Sequence, residues 1–362
     1  MNAQQKVFRL RRNYNRWVAN ETLEDYALRF TAKRARRWTA ARVSNTALGA
    51  ISFLALEAIG GAIILSYGFT NAFAAILVDG AIILLTALPN SDHAARRCVD
   101  NDLITRGAGF GYIGSTITSL IYASFTFIFF ALEAAIMALA LELTLGLPLS
   151  LGYVVSALLV IPLVTHGITL ISRFQVWTQP LWIALQVLPL VFIAFQLDDA
   201  LALWTSYEGP ESPLPGGEEP GAFDLLAFGA ASAVLFSLIA QIGEQVDFLR
   251  FMPHAEKPDR RWWSAMLAGG PGWIMVGVIK ILVGSFLAVL ALHHGVPFEE
   301  ASDPNRMYLT AFGYLTTSPE LMLFLVAVFV ILSQLKINVT NAYAGSIAWS
   351  NFFSRLTHNH PG

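Results

Sequence analysis

Charge is scarce in this chain of 362 residues: Asp, Glu, Lys and Arg together supply 13% of it, while hydrophobic residues supply 55%. Ordinary soluble domains are about one quarter charged. The deficit, with a mean hydropathy of +0.56, excludes a soluble enzyme and points to a helical membrane protein. Cysteine is rarer still: Cys98 stands alone, which rules out a disulfide framework and a cysteine metal site. His293-His294 and His358-x-His360 lack the carboxylate or cysteine company that a metal needs, so no metal and no cofactor is expected. A cleavable signal peptide is not visible either, because the first 43 residues are polar and arginine-rich, without a short apolar stretch ending in small residues. No nucleic-acid partner is expected.

What is present is apolar length. Spans of about 20 hydrophobic residues, enough to cross a bilayer, recur along the chain. They predict helices at Ser44 to Tyr67, Asn71 to Leu88, Tyr112 to Leu143, Leu151 to Ile171, Val176 to Leu197, Leu225 to Arg250, Ser264 to Leu292 and Glu320 to Phe353. The loops alternate in basic content, as the positive-inside rule requires. Asn90 to Arg106, the turn near Arg173 and Phe251 to Trp263 are basic and assigned to the cytoplasm. Asp198 to Asp224, acidic and without Lys or Arg, and His293 to Pro319 are assigned outside. The chain thus divides into a basic cytoplasmic segment, 1–43, a membrane part of eight helices, 44–353, and a cytoplasmic end, 354–362. Thr22 and Asp25, with capping-box spacing before Tyr26, Leu28 and Phe30, predict a short amphipathic helix on the inner surface. A solvated basic tail that only orients the protein is an equal alternative.

Several spans carry groups that hydrocarbon does not tolerate. Glu57, Asp79, Glu133, Lys280 and Lys336 fall near the middle of predicted helices, where each ionised group costs at least about 2.5 to 3.5 kcal/mol. They face a bundle interior, either as a solute or ion pathway or as ion pairs that lock helices together. Phe228 to Pro253 begins as an apolar helix and is then interrupted by Ser237, Gln241, Gly243, Glu244, Gln245 and Asp247. Every such group needs an internal partner or a water-filled cavity, which is how a broken helix builds a site. Gly109, Gly111 and Gly114 spell a dinucleotide-binding pattern, but no strand precedes them; they are expected to allow close helix packing instead.

Arg36-Arg37-Trp38, Thr105 to Gly114, Val246-Asp247-Phe248-Leu249-Arg250-Phe251 and Asn338-Val339-Thr340-Asn341-Ala342-Tyr343-Ala344-Gly345 together resemble, in order and spacing, motifs of the nucleobase-cation-symport-1 family, the purine-cytosine permeases. The resemblance implies an all-α integral membrane protein with the five-plus-five inverted-repeat fold of amino-acid/polyamine/organocation-type transporters, of which about eight of ten or more helices are present. It implies a non-enzymatic symporter that takes up a small, heterocyclic solute at a midplane site by alternating access, in a bacterial inner membrane with both termini cytoplasmic. Counting from the motifs, the family's base-stacking tryptophan falls on Phe129 and its hydrogen-bonding glutamine on Glu133; Ser237, Leu238, Gln241, Glu244, Asn338 and Asn341 complete the expected solute site. Leu238 replaces an expected aromatic.

Helix 8 also departs from the family pattern. Where sodium-coupled relatives carry a Ser-Thr pair, this chain has Lys336-Ile337. An ammonium in the sodium position, paired with Glu57 or Glu133, implies sodium-independent behaviour, so Glu57 and Lys336 are the expected coupling residues. Phe8 to Leu143, with Leu54 to Gly61, further resembles the permease-like input module of bacterial hybrid sensor histidine kinases. That likeness implies a truncated chain, and a solute pocket that biases a fused or downstream cytoplasmic kinase absent from this sequence. Transport and sensing remain the two function classes, with the solute and the bilayer as common partners.

Overall fold

The computed structural model describes Thr31 and residues 36–210 and 219–356, leaving aside the side chains of 354 and 355. The amphipathic helix expected over Thr22 to Phe30 lies outside these residues. Those described form helices without any β-strand element. Thr39 caps α1 (Ala40–Gly49) by accepting from the Arg42 N–H at 3.2 Å. A 3-10 turn, Ala50–Ser52, and the extended Phe53 then break the helix before α2 (Ala55–Arg97). A straight rod of 43 residues would be about 65 Å long, twice the hydrocarbon thickness. Gly68, with φ +74°, divides it into two arms. There the Phe69 N–H donates to the Tyr207 carbonyl at 2.8 Å, so the break is pinned by a segment distant in sequence.

Next come α3 (Asn101–Thr105), a π turn (Arg106–Phe110) and α4 (Gly111–Leu145). Gly109 and Gly111 hold φ of +109° and +64° with open space where a side chain would stand. They serve the backbone of the turn, which corrects the expectation that they pack helices. Helix α5 (Leu149–Thr165) leads into α6 (Gly167–Gln196) across Gly167, at φ +70°. The reversal therefore falls at His166-Gly167, and Arg173, expected in that turn, lies inside α6. After α7 (Ala200–Thr205), the sixth expected helix is split into α8 (Leu225–Phe236), a 3-10 turn (Ser237–Gln241) and α9 (Ile242–Leu249).

Helix α10 (Arg260–Gly269) and α11 (Pro271–His293) meet at Gly270, where proline cannot continue the preceding helix without a break. The loop expected over His293 to Pro319 contains α12 (Pro304–Gly313), and α13 (Pro319–Leu356) completes the described chain. Among the described residues, six helical segments are long and apolar enough to cross a membrane: Ala55–Arg97, Asn101–Leu145, Gly167–Gln196, Leu225–Leu249, Pro271–His293 and Pro319–Phe353. Leu149–Thr165 is a shorter apolar helix.

The core is laid down by two long pairings, α2 with α11 and α4 with α13. Small residues set both distances. Gly60 faces the Ile281 carbonyl and Gly284 faces the Glu57 backbone, while Gly345 lies against Thr126. Backbones approach this closely only where no Cβ intervenes. The broken helices α1–α2 and α8–α9 lie against one another, so both breaks open onto the same interior.

Candidate solute site between the broken helices

The break in the first helix is held by charge. Glu57 and Lys280, both buried, form an ion pair of 2.7 Å between α2 and α11. Tyr308 of α12 donates to Glu57 Oε1 at 3.1 Å, and Gln186 of α6 donates to the Tyr308 hydroxyl and, at 3.4 Å, to the same carboxylate. Lys280 Nζ also reaches the Ser52 carbonyl and Gln186 Oε1, each at 3.5 Å, and stands 5.2 Å from the Trp182 ring. A carbonyl freed by unwinding the helix thus receives an ammonium proton. Ser52 Oγ in turn donates to the Ser333 carbonyl at 3.0 Å, which ties the break to α13.

Beside this network is an aromatic wall with a polar face. Phe53 stacks on Trp273 at 5.8 Å between centroids and meets Phe129 edge-on at 6.4 Å. One helical turn beyond Phe129, Glu133 is fully buried, and neither carboxylate oxygen has a well-formed hydrogen bond, with the Gln334 side chain and the Ala55 backbone its nearest polar neighbours. Gln334 Oε1 accepts from the Leu54 N–H at 3.3 Å, but its amide nitrogen is left unpartnered. Unpartnered too are both oxygens of Glu244, Gln241 Nε2, Asn338 Nδ2 and Asn341 Oδ1, all buried. Unsatisfied buried polar atoms are rare because each costs about 1 to 3 kcal/mol. Those on Gln241 and Glu244 lie at the second helix break, and those on Glu133, Gln334, Asn338 and Asn341 lie on α4 and α13.

Beyond Glu244 lies a cavity of about 220 Å³, lined in part by Asp100, Asn101, Tyr122 and Asp247. Four contacts tie the elements around it. Tyr122 donates to Asp247 Oδ2 at 3.1 Å, Asn101 to the Gly243 carbonyl at 2.8 Å, Arg250 to the Tyr343 hydroxyl at 2.8 Å and Asn351 to Asp100 Oδ2 at 2.9 Å. Asp100, ahead of the membrane-length helix, is held up to about 6 by burial, against the hydrogen bond from the Leu103 N–H.

Of the residues expected from sequence, Phe129, Glu133, Gln241, Glu244, Asn338 and Asn341 are buried around the two breaks. Ser237 is exposed and spends its hydroxyl on the Val234 carbonyl at 2.6 Å, so it points away from the others. Leu238 faces α2 and α11, in a small apolar cleft with Leu56, Gly80 and Trp273. Lys336 pairs with neither Glu57 nor Glu133. It donates to the Gln175 carbonyl and to Thr178 Oγ1, each at 3.1 Å, because its side chain leaves α13 toward α6 while Glu57 is already neutralised by Lys280. Sequence reasoning did not assign Gln186, Trp273, Tyr308 or Gln334. A glutamine within an apolar span was a readable signal for Gln186 and Gln334; Tyr308, in an expected external loop, offered none.

No family model and no curated protein matches the chain. Solved structures do. Mhp1, a nucleobase-cation-symport-1 family transporter, in a closed conformation with bromovinylhydantoin bound, is 17% identical with a TM-score of 0.63, over 92% of this chain and 70% of that one. An inward-facing conformation of Mhp1 is 18% identical with a TM-score of 0.57, over 88% and 70%. The chain therefore has the fold of that transporter.

Proposed function

We propose that the protein is a secondary transporter of the nucleobase-cation-symport type, which binds a small planar solute at mid-membrane and moves it by alternating access. One observation carries the reading: in a fold shared with a hydantoin-bound transporter, buried polar groups without well-formed hydrogen bonds, on Glu133, Gln241 and Glu244, lie at or against the breaks of two helices, with Phe129 one turn from Glu133. A flat ring would stack on the aromatic side chains and satisfy the carboxylates and amides at its edge. Discontinuous helices around a midplane site are the recurrent architecture for such binding.

The proposal extends to coupling. Lys280 already occupies the Ser52 carbonyl in the broken first helix, and Lys336 the Gln175 carbonyl on α6. Ammonium groups at these positions favour a sodium-independent cycle, with Glu57 and Lys336 as the coupling candidates. The test uses the purified full chain with uracil, cytosine, adenine and hydantoin, read by thermal shift and then by uptake into liposomes. Binding by at least one ring, unchanged when choline replaces sodium and lost in Glu133→Ala, is the expected result. Silence across the series would sink the solute reading; affinity that rises with sodium would sink the coupling reading.

A further inference from the structure

Two carboxylates at the helix breaks lack well-formed hydrogen bonds, whereas the buried cations nearby, Lys280, Lys336 and Arg250, are engaged with other groups. Glu133 and Glu244 are both fully buried, and none of their four carboxylate oxygens has a well-formed hydrogen bond, the Gln334 side chain and the Ala55 backbone being the groups nearest to Glu133. The cation facing Glu133 is Lys280, which is committed to Glu57 at 2.7 Å. Glu244 faces two further acids, Asp247 and Glu133. The other buried lysine, Lys336, lies against a carbonyl and a hydroxyl on α6 rather than against a carboxylate. An ionised carboxylate withdrawn from water requires a countercharge and donors for its lone pairs.

We propose, on the solute-site reading given above, that the ligand class is a planar organic cation whose amidinium or guanidinium edge lies between Glu133 and Glu244. A carboxylate accepts and cannot donate, whereas the edge of a neutral imide such as hydantoin or uracil alternates donors with carbonyl acceptors. Two carboxylates on one edge select a ligand that donates along that whole edge. The planar fork of an amidinium donates two parallel N–H bonds to a carboxylate, the strongest pairing open to such a group. Phe129, one turn before Glu133 on α4, supplies an aromatic face within reach of the same cation. The remaining amides, on Gln334 and Asn338, then serve the rest of the ring.

Benzamidine, benzamide and benzoate share a ring and differ in edge charge, so they isolate this claim. Their affinities are measured on the purified full chain in nanodiscs by tryptophan fluorescence. Benzamidine is expected to bind at least about tenfold more tightly than benzamide, with benzoate weakest. Glu133→Gln and Glu244→Gln, which keep side-chain volume, should each reduce the ratio of benzamidine to benzamide affinity; the wild-type series decides the matter even where a variant fails to fold. Benzamide or benzoate binding as tightly as benzamidine would overturn the inference and leave the planar-solute site standing. A neutral heterocycle that binds while benzamidine does not has the same meaning. Silence of all three, together with silence of uracil, cytosine, adenine and hydantoin, would overturn both.

Discussion

The two buried lysines are chemically identical and energetically different. Lys280 neutralises Glu57 at 2.7 Å, and removing it leaves a carboxylate enclosed by protein without its countercharge. Lys280→Met is therefore expected to cost about 3 to 5 kcal/mol, while Glu57→Gln with Lys280→Met recovers most of the loss because the buried charge disappears as well. Lys336 bonds only neutral oxygens, so Lys336→Met should cost about 0.5 to 3 kcal/mol. Unfolding of the four proteins in detergent gives the cycle; additive effects of the Glu57 and Lys280 substitutions would show that the pair is not coupled. Individual charges were legible in the sequence, since Glu57, Glu133, Lys280 and Lys336 each interrupt an apolar span. Their partners were not. Glu57 and Lys280 stand 223 residues apart, and only the packing of α2 on α11 selects that pair over Glu57 with Lys336.

Elements were readable to the extent that hydropathy defines them. The apolar spans are helical, but six rather than the eight expected segments are membrane-length among the described residues, because hydropathy does not see backbone breaks, which depend on φ at single residues. Thus the α5–α6 turn sits at Gly167 rather than near Arg173, and α2 continues helically to Arg97 through residues expected to form a loop. Spacing between elements is equally local. A Cβ on Gly284 would overlap the backbone of Glu57, whereas one on Gly277, on the same helix, would meet Ile51 Cδ1 at 3.6 Å and Leu56 Cδ1 at 3.7 Å. Gly284→Ala is expected to force α2 from α11 and cost about 1 to 3 kcal/mol. Gly277→Ala meets ordinary van der Waals contact and gains helix propensity, for a change within about 1 kcal/mol of zero. Paired thermal unfolding curves check this contrast, and equal losses would mean that the α2–α11 distance is not set at Gly284.

At the scale of the molecule, ordered family-like motifs made the fold legible, while the closure around the cavity became visible only in three dimensions. Tyr122–Asp247, Asn101–Gly243, Arg250–Tyr343 and Asp100–Asn351 join α4, α9, α13 and the α2–α4 connection. On the proposed transport reading, an alternating-access cycle must release such contacts to admit water on this side, so weakening one of them is expected to shift the population toward a more open form. The chain carries its own reporter of that shift. Cys98, its single cysteine, is fully buried two residues before Asp100, and burial raises its thiol pKa, so it is protected from alkylation in the arrangement seen in this structure. Tyr122→Phe removes the hydroxyl that donates to Asp247 without changing the ring. Loss of one hydrogen bond to a charged acceptor, about 1.5 to 3 kcal/mol, is sufficient to speed N-ethylmaleimide modification of Cys98 by about tenfold or more. If the rate is unchanged while the variant keeps its melting temperature, the Tyr122–Asp247 contact does not hold the cavity closed, and the release of this side must be controlled at the remaining contacts of Asn101, Arg250 and Asp100 instead.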